Sequence, residues 1–222
     1  MRLLVVAATS AEIAPLTAHL ESRHRASTRR EPAADVDLLV TGVGMVATAA
    51  RVAACLAGRR YDAALNLGVC GSFDRARPLG SVVHVTTESL PELGVEDGPH
   101  FIPATALGLV GANDAPFVDG LLVNPEPPAW PALTALPRVT GVTVNTVHGD
   151  EPSIAALLER GHADVESMEG AAFFYACLSA GVPCAEVRAV SNYVERRNRA
   201  AWRMADAIAA LNATAMTLVD AL

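Results

Sequence analysis

Apolar residues fall in short blocks divided by glycine-rich or polar turns, and their period changes from block to block. Leu3 to Ala8 is an unbroken apolar run, the pattern of a strand buried on both faces. Thr9 to Leu20 has helical spacing: Ile13, Leu16 and Leu20 share one face, and Thr9 and Glu12 stand at capping-box spacing. Asp35 to Thr41 reads as a second strand, ending in Gly42-Val43-Gly44, and Met45 to Ala57 as an alanine-rich helix closed by Gly58. Tyr61 to Leu67 is a third strand, running into a turn at Gly68-Val69-Cys70-Gly71-Ser72, and Ser81 to Thr87 is another.

Periodicity fades from Glu88 to Arg138, a stretch holding Pro125, Pro127, Pro128, Pro131 and Pro137. A loop of this length is usually functional or mobile, and it is a place for substrate-specific or subunit contacts. Gly120 to Val123 is its best strand candidate. Regular structure returns with a strand at Val139 to Val147 and a helix at Pro152 to Arg160, with proline near its first turn. An apolar helix follows at Met168 to Ala180, then a strand at Pro183 to Val190. A long amphipathic helix over Arg199 to Leu222 has Trp202, Ile208, Leu211, Leu218 and Leu222 among its apolar positions. Strands alternating with helices predict one α/β domain over 1–222 with a largely parallel sheet and a Pro/Gly-rich insertion at about 88–138. Ligands of such sheets bind beyond the carboxyl ends of the strands. That directs attention to Thr9–Glu12, Gly42–Gly44, Gly68–Ser72, His148–Glu151 and Ser191–Asn192.

Composition narrows the function. Of 222 residues, 51% are apolar and 18% charged, which excludes disorder as the main state. The longest apolar run, Ala171 to Leu178, falls far short of the roughly 20 residues of a membrane helix. The first apolar block is too short for a signal peptide, so a cytoplasmic protein with no membrane partner is expected. A net charge of −7 argues against a nucleic-acid partner. Every basic residue is Arg, which removes Schiff-base and P-loop lysine chemistry. Cys55, Cys70, Cys177 and Cys184 form no C-x-x-C pair and read as small buried residues in a reducing compartment. His148, Asp150, Glu151, His162, Asp164 and Glu166 crowd one stretch. No two histidines have i, i+4 spacing, so they read as solvated surface and no metal is expected.

The candidate chemistry is carried by few residues. The two glycine turns do not complete a dinucleotide fingerprint, because position 47 is Ala, and they read as tight strand-to-helix turns. Glu12 either caps a helix or stands beyond the first strand as a general base. Glu169 opens a very apolar helix. Its carboxylate is stabilised there by the helix dipole, or it accepts from the vicinal hydroxyls of a sugar. Asn192 is a turn former or faces the ligand crevice.

Ala7-Ala8-Thr9-Ser10-Ala11-Glu12, Thr41-Gly42-Val43-Gly44, Asn66-Leu67-Gly68-Val69-Cys70-Gly71, Ser167-Met168-Glu169-Gly170-Ala171 and Arg188-Ala189-Val190-Ser191-Asn192 together resemble, in order, the nucleoside phosphorylase and nucleosidase superfamily. Within it, Glu88-x-x-x-x-Leu93-Gly94-Val95-Glu96-Asp97-Gly98, Val144-Asn145-Thr146-Val147 and Ser191 to Asn198 look like the futalosine hydrolase branch. The resemblance implies a three-layer α/β/α fold, homo-oligomers (dimers or larger) and no cofactor. It implies hydrolysis of a purine N-glycosidic bond through an oxocarbenium-like transition state. Futalosine would yield hypoxanthine and dehypoxanthine futalosine, a step of menaquinone biosynthesis.

By the same resemblance Glu12 activates water, Glu169 binds ribose, Met168 packs under the sugar, and Val69, Cys70 and Gly71 line the substrate. Arg188 supports the site, and Asn192 meets the leaving purine. The adenine nucleosidases carry Asp at that last position, and an amide suits a 6-oxopurine. Asn66 and Val69 replace the Arg and Ser with which bacterial phosphorylases hold phosphate. No aromatic follows Gly149-Asp150, which leaves Phe101, Phe117 or Tyr193 to face the base. Arg196, Arg197 and Arg199 are candidates for the 5′ substituent. Two other readings stay open: an adenine-releasing nucleosidase acting on methylthioadenosine, S-adenosylhomocysteine or aminodeoxyfutalosine, and a non-catalytic nucleoside-binding protein.

Overall fold

A computed structural model describes residues 1–26 and 35–222. In chain order its first half holds β1 (Arg2–Ala7), α1 (Ser10–Ala26), β2 (Asp35–Val40), α2 (Met45–Gly58), β3 (Ala63–Ser72), β4 (Val82–Ser89), β5 (Gly94–Asp97) and β6 (His100–Pro103). There follow β7 (Leu122–Val123), α3 (Pro131–Thr134), β8 (Arg138–Thr143), α4 (Glu151–Glu159), β9 (Val165–Ser167), α5 (Gly170–Ala180), β10 (Cys184–Tyr193) and α6 (Met204–Asp220).

The apolar run of β1 is fully buried from Leu3 to Ala7, because helices cover both faces of the sheet. β1 pairs in parallel with β2 and β3, and β10 lies parallel to β3. β4 runs antiparallel to β10, β8 parallel to β4, and β9 joins β8 to the far end of β3. The sheet is thus mixed but mostly parallel, and half of it closes into a ring through β3, β10, β4, β8 and β9. α1 and α6 cover one face, setting Ile13, Leu16 and Leu211 against Leu3, Val5, Leu65, Leu67 and Val187. α2 and α5 cover the other, setting Val52, Phe173 and Phe174 against Leu4 and Val6. The inside of the ring is filled by Cys70, Val83, Val85, Val139, Val165 and Val190.

Several expected boundaries move, each for a local reason. The glycine turn expected after Leu67 is strand: β3 continues to Ser72. Its glycines mark close approaches. A Cβ on Gly68 would overlap the Arg188 guanidinium, and one on Gly71 would crowd Asn192 and Val194. β10 likewise runs on through Ser191 and Asn192, with a bulge between Val190 and Asn192 that turns Asn192 toward the cleft. β8 stops at Thr143, well before Val147, and β9 is a short strand with no apolar signal of its own. The final helix starts at Met204. Arg199–Ala201 form a 3₁₀ turn and Trp202 is extended, so Trp202 lies outside the helix on whose apolar face it was expected. Met168 and Glu169 precede α5, with Glu169 as its N-cap. The proline-rich insertion is more regular than a loop. It carries the β5–β6 hairpin, β7 (paired antiparallel with β4) and α3.

Candidate active site

The carboxyl ends of β1, β3 and β10 and the N-terminal ends of α1, α2 and α5 converge on one buried polar cluster. Along β10 the side chains alternate. Ala185, Val187 and Ala189 enter the apolar core under α1 and α6, while Glu186 and Arg188 face the opposite side. Arg188 is 1% exposed. Its Nε donates to Glu186 Oε1 (2.7 Å), its Nη2 to Asn66 Oδ1 (2.5 Å), and its Nη1 stands 3.7 Å from Glu169 Oε2. Burial opposes the charge, yet Glu186 and Glu169 hold the guanidinium pKa above its ordinary value. The side chain reaches this position across Gly68, where a Cβ would also come within 3.2 Å of Glu12 Oε1. Arg188, Glu12 and the β3 backbone therefore meet at one point.

The capping reading of Glu12 holds. Thr9 N and Thr9 Oγ1 each donate to Oε2 at 2.9 Å, the return half of a capping box. Oε1 accepts from Val69 N at 3.3 Å and is held against the end of β3. Glu169, 6% exposed, accepts Gly44 N at 3.0 Å through Oε1. Gly44 sits at φ 95°, a backbone state that favours glycine, and this conformation presents its N–H to the carboxylate. The Gly42-x-Gly44 turn is thus both a tight turn and a carboxylate holder.

A cavity lies at the bulge of β10. Asn192 lines it together with Gly71, His148, Glu166, Arg197 and Trp202. The amide of Asn192 is oriented on both sides: Ser191 Oγ donates to Oδ1 (2.8 Å), and Nδ2 donates to Tyr193 O (3.0 Å). One lone pair and one N–H remain for a ligand.

Here the expectation of a solvated surface fails for three residues: His148, Glu166, and Asp164, which is half-buried and accepts from Thr140 N and Oγ1. Glu166 is 4% exposed and accepts from both His148 N (2.9 Å) and the His148 ring. Burial raises its pKa, against the lowering effect of those hydrogen bonds. The cause is β9, whose antiparallel pairing with Gly71 turns Glu166 inward. Asp150, Glu151 and His162 are exposed as expected, and no metal-binding group is found among the described residues.

Other expected site residues divide by atom. Val69 gives its backbone N–H to Glu12, and Gly71 lines the Asn192 cavity. Cys70 turns its thiol into the ring core and offers only its carbonyl, which shares the one Ser191 Oγ proton with Asn192 Oδ1. Met168 is half-buried beside Glu169. Of the three candidate arginines Arg197 borders the cavity, its guanidinium over the Trp202 ring at 5.5 Å. Of the candidate aromatics Tyr193 borders it, whereas Phe101 lies under Arg160 in a neighbouring cavity and Phe117 packs edge-on against Tyr175. Trp202, Glu166 and Glu186 were missed. For Glu186 the signal was present: a carboxylate two residues before an arginine, hence on the same face, inside an apolar strand.

A half-closed mixed sheet with two backbone-held carboxylates around a buried arginine defines the class. The chain belongs to the phosphorylase superfamily, whose pattern matches residues 2–222. It is 38% identical to futalosine hydrolase of Streptomyces coelicolor over 187 residues, 79% of this chain and 74% of that one. To futalosine hydrolase of Thermus thermophilus it is 35% identical over 182 residues, 78% and 76% of the two chains. Among solved structures, futalosine hydrolase of Helicobacter pylori superposes with a TM-score of 0.79 at 14% identity, covering 100% of this chain and 98% of that one. The methylthioadenosine/S-adenosylhomocysteine nucleosidase of Colwellia psychrerythraea, in complex with adenine, gives 0.77 at 19% identity, covering 100% and 96%. These structures share the fold.

Proposed function

We propose that this chain is an N-glycosyl hydrolase that cleaves futalosine to hypoxanthine and dehypoxanthine futalosine, and so serves menaquinone biosynthesis. One observation carries the chemistry: Glu12 and Glu169 are each anchored by a backbone N–H close to Arg188, with the oriented amide of Asn192 farther along the same strand as Arg188. Likeness to the futalosine hydrolases supports the substrate.

Glu169 accepts the ribose hydroxyls and favours positive charge developing at C1′. Glu12 takes a proton from water as its oxygen bonds C1′. The C1′–N9 electron pair leaves with the purine, whose N7 takes a proton from solvent as the bond breaks; Asn192 Oδ1 accepts from that N7–H and its Nδ2 donates to O6, and Glu12 returns the proton it took to solvent. Arg188 has its donors turned toward Glu186, Asn66 and Glu169, which supports water over phosphate as nucleophile.

We further propose a homo-oligomer, supported by exposed apolar side chains at Val43, Val46, Leu109, Val118 and Tyr175. Light scattering after gel filtration tests it. A cytoplasmic site of action is supported by four free cysteines, and no helix of the described residues is long and apolar enough to cross a membrane.

The test of the reaction is chromatography of the released base from futalosine, aminodeoxyfutalosine, methylthioadenosine and inosine, each with and without phosphate. Hypoxanthine from futalosine, independent of phosphate, is expected. Adenine as the main product makes this an adenine nucleosidase. Silence on every substrate makes it a binding protein.

A further inference from the structure

Behind Arg188 lie two more acids that the reaction above does not use. Glu88, at the end of β4, is 1% exposed, and Glu186 is 0% exposed. Glu88 Oε2 accepts from Thr143 Oγ1 at 2.8 Å, and Glu186 Oε1 accepts from Arg188. Each acid is then left with one buried oxygen, Glu88 Oε1 and Glu186 Oε2, that has no hydrogen-bond partner. These two oxygens meet at the N-terminus of α5. A Cβ on Gly170 would overlap Glu88 Oε1 and stand 2.5 and 2.7 Å from the two carboxyl oxygens of Glu186. Gly141 clears the other side of Glu88 in the same way. Two ionised carboxylates in such contact, buried and short of donors, are strongly disfavoured. A single proton between them satisfies both orphan oxygens at once.

We infer that Glu88 and Glu186 share one proton, and that this acid pair is a positioning element whose single negative charge holds Arg188 back from Glu12 and Glu169. The inference deepens the proposed hydrolysis and its kinetic arm rests on it. Arg188 lies among four carboxyl groups: Glu186 on its own strand, Glu88 on β4, Glu169 at the start of α5 and Glu12 on α1. The other nearby ionisable groups are Arg77 and Cys70, whose thiol is pushed up to about 12, chiefly by burial. With the pair at −1, the guanidinium is neutralised from behind and Glu169 stays 3.7 Å in front, its oxygens available to ribose. With the pair uncharged, Arg188 turns to the only anions left, the two that touch substrate. Burial raises both acids and the Arg188 charge opposes the rise at both. Glu186 takes the direct Arg188 Nε hydrogen bond and Glu88 only the Thr143 hydroxyl, which leaves the charge on Glu186 and the proton on Glu88.

Two isosteric exchanges test the pair. In Glu88→Gln the remaining Glu186 ionises. In Glu186→Gln the remaining Glu88 loses its like-charged neighbour and ionises instead. Either single variant keeps a charge of −1, and only Glu88→Gln/Glu186→Gln reaches zero. Each single variant is expected to lose less than about fivefold in kcat/KM and the double at least about a hundredfold, a coupling typical of groups in contact. In the double variant the acid limb of the pH–rate profile moves to lower pH, because carboxylates facing an uncompensated guanidinium hold protons less well. Independent, multiplying losses with an unmoved acid limb overturn the inference.

An infrared arm needs only the singly substituted proteins and no substrate. At pH 7 the wild type is expected to show a protonated buried-carboxyl stretch that disappears in Glu88→Gln and equally in Glu186→Gln, and persists in Glu166→Gln. No such band in the wild type, or a band surviving in either pair variant, overturns it. A wild type that releases no base from any nucleoside sinks the proposed function instead, and the infrared result still decides the proton.

Discussion

The two ends of the site are built differently. Around Arg188 the polar groups Glu186, Asn66, Glu169 and Glu12 come from strands or helix starts, are nearly fully buried, and each accept at least one hydrogen bond from within the protein. Around Asn192 the cavity is bordered by Tyr193 at the end of β10 and by Glu195, Arg197 and Trp202 on the connection to α6, all half-buried or exposed. Groups that meet developing charge must not reorganise during the reaction, and rigid elements supply that. Groups that recognise a base tolerate a softer mounting, and loops vary without disturbing the sheet. Substitutions at the Arg188 end should therefore act on kcat and those at the Asn192 end on base preference and KM.

The largest effect is expected at Glu12. Glu12→Gln keeps the shape and one acceptor for Thr9 and Val69 but removes the base, and kcat should fall by about 10²–10⁴ with hypoxanthine affinity unchanged. Single-turnover rates and calorimetric product binding separate the two. A variant retaining more than a tenth of wild-type kcat would return Glu12 to the helix cap alone.

Gly68→Ala comes next and probes rigidity directly. The new methyl overlaps Arg188 Nη1, backbone and guanidinium being equally confined. Overpacking of this kind costs about 1–3 kcal/mol. Thermal unfolding should show that loss together with a fall in kcat. An unchanged Tm with unchanged kcat would mean that the cluster yields as easily as the loop end.

Asn192→Asp moves to the other end. A carboxyl cannot donate to O6 when ionised and suits adenine when protonated, so the ratio of hypoxanthine to adenine release from matched substrates should fall by at least about tenfold. Competition between futalosine and aminodeoxyfutalosine measures it. An unaltered ratio would place base discrimination on Glu166 and His148 instead.

The same division decided how much the sequence revealed. The α/β alternation and the carboxylates Glu12 and Glu169 were legible, because strand runs, capping spacing and short motifs are local. The hydrolysis reading also stands on likeness to the futalosine hydrolases. Glu186 was not singled out, because a charged residue inside an apolar strand gains meaning only when Glu88, some hundred residues away in sequence, packs against it. Glu166 was placed at the surface because β9 is three residues long and its inward turn is set by pairing with Gly71, not by its own pattern. Trp202 was placed on a helix because its apolar character fits the period of α6. The 3₁₀ turn at Arg199–Ala201 breaks that period two residues before the helix begins.

Trp202 gives the smallest effect and the sharpest test of the contrast. Its ring borders the Asn192 cavity and lies under the Arg197 guanidinium, and the lining of that cavity includes none of Arg188, Glu186, Asn66, Glu169 and Glu12. An aromatic face beside a purine adds about 0.5–1.5 kcal/mol. Trp202→Ala should therefore raise KM by roughly two- to twelvefold and leave kcat within about twofold, and Trp202→Phe should recover most of the loss. A fall in kcat instead would show that the connection closes over the whole site and couples to Arg188. The rigid and soft ends would then be one mechanical unit.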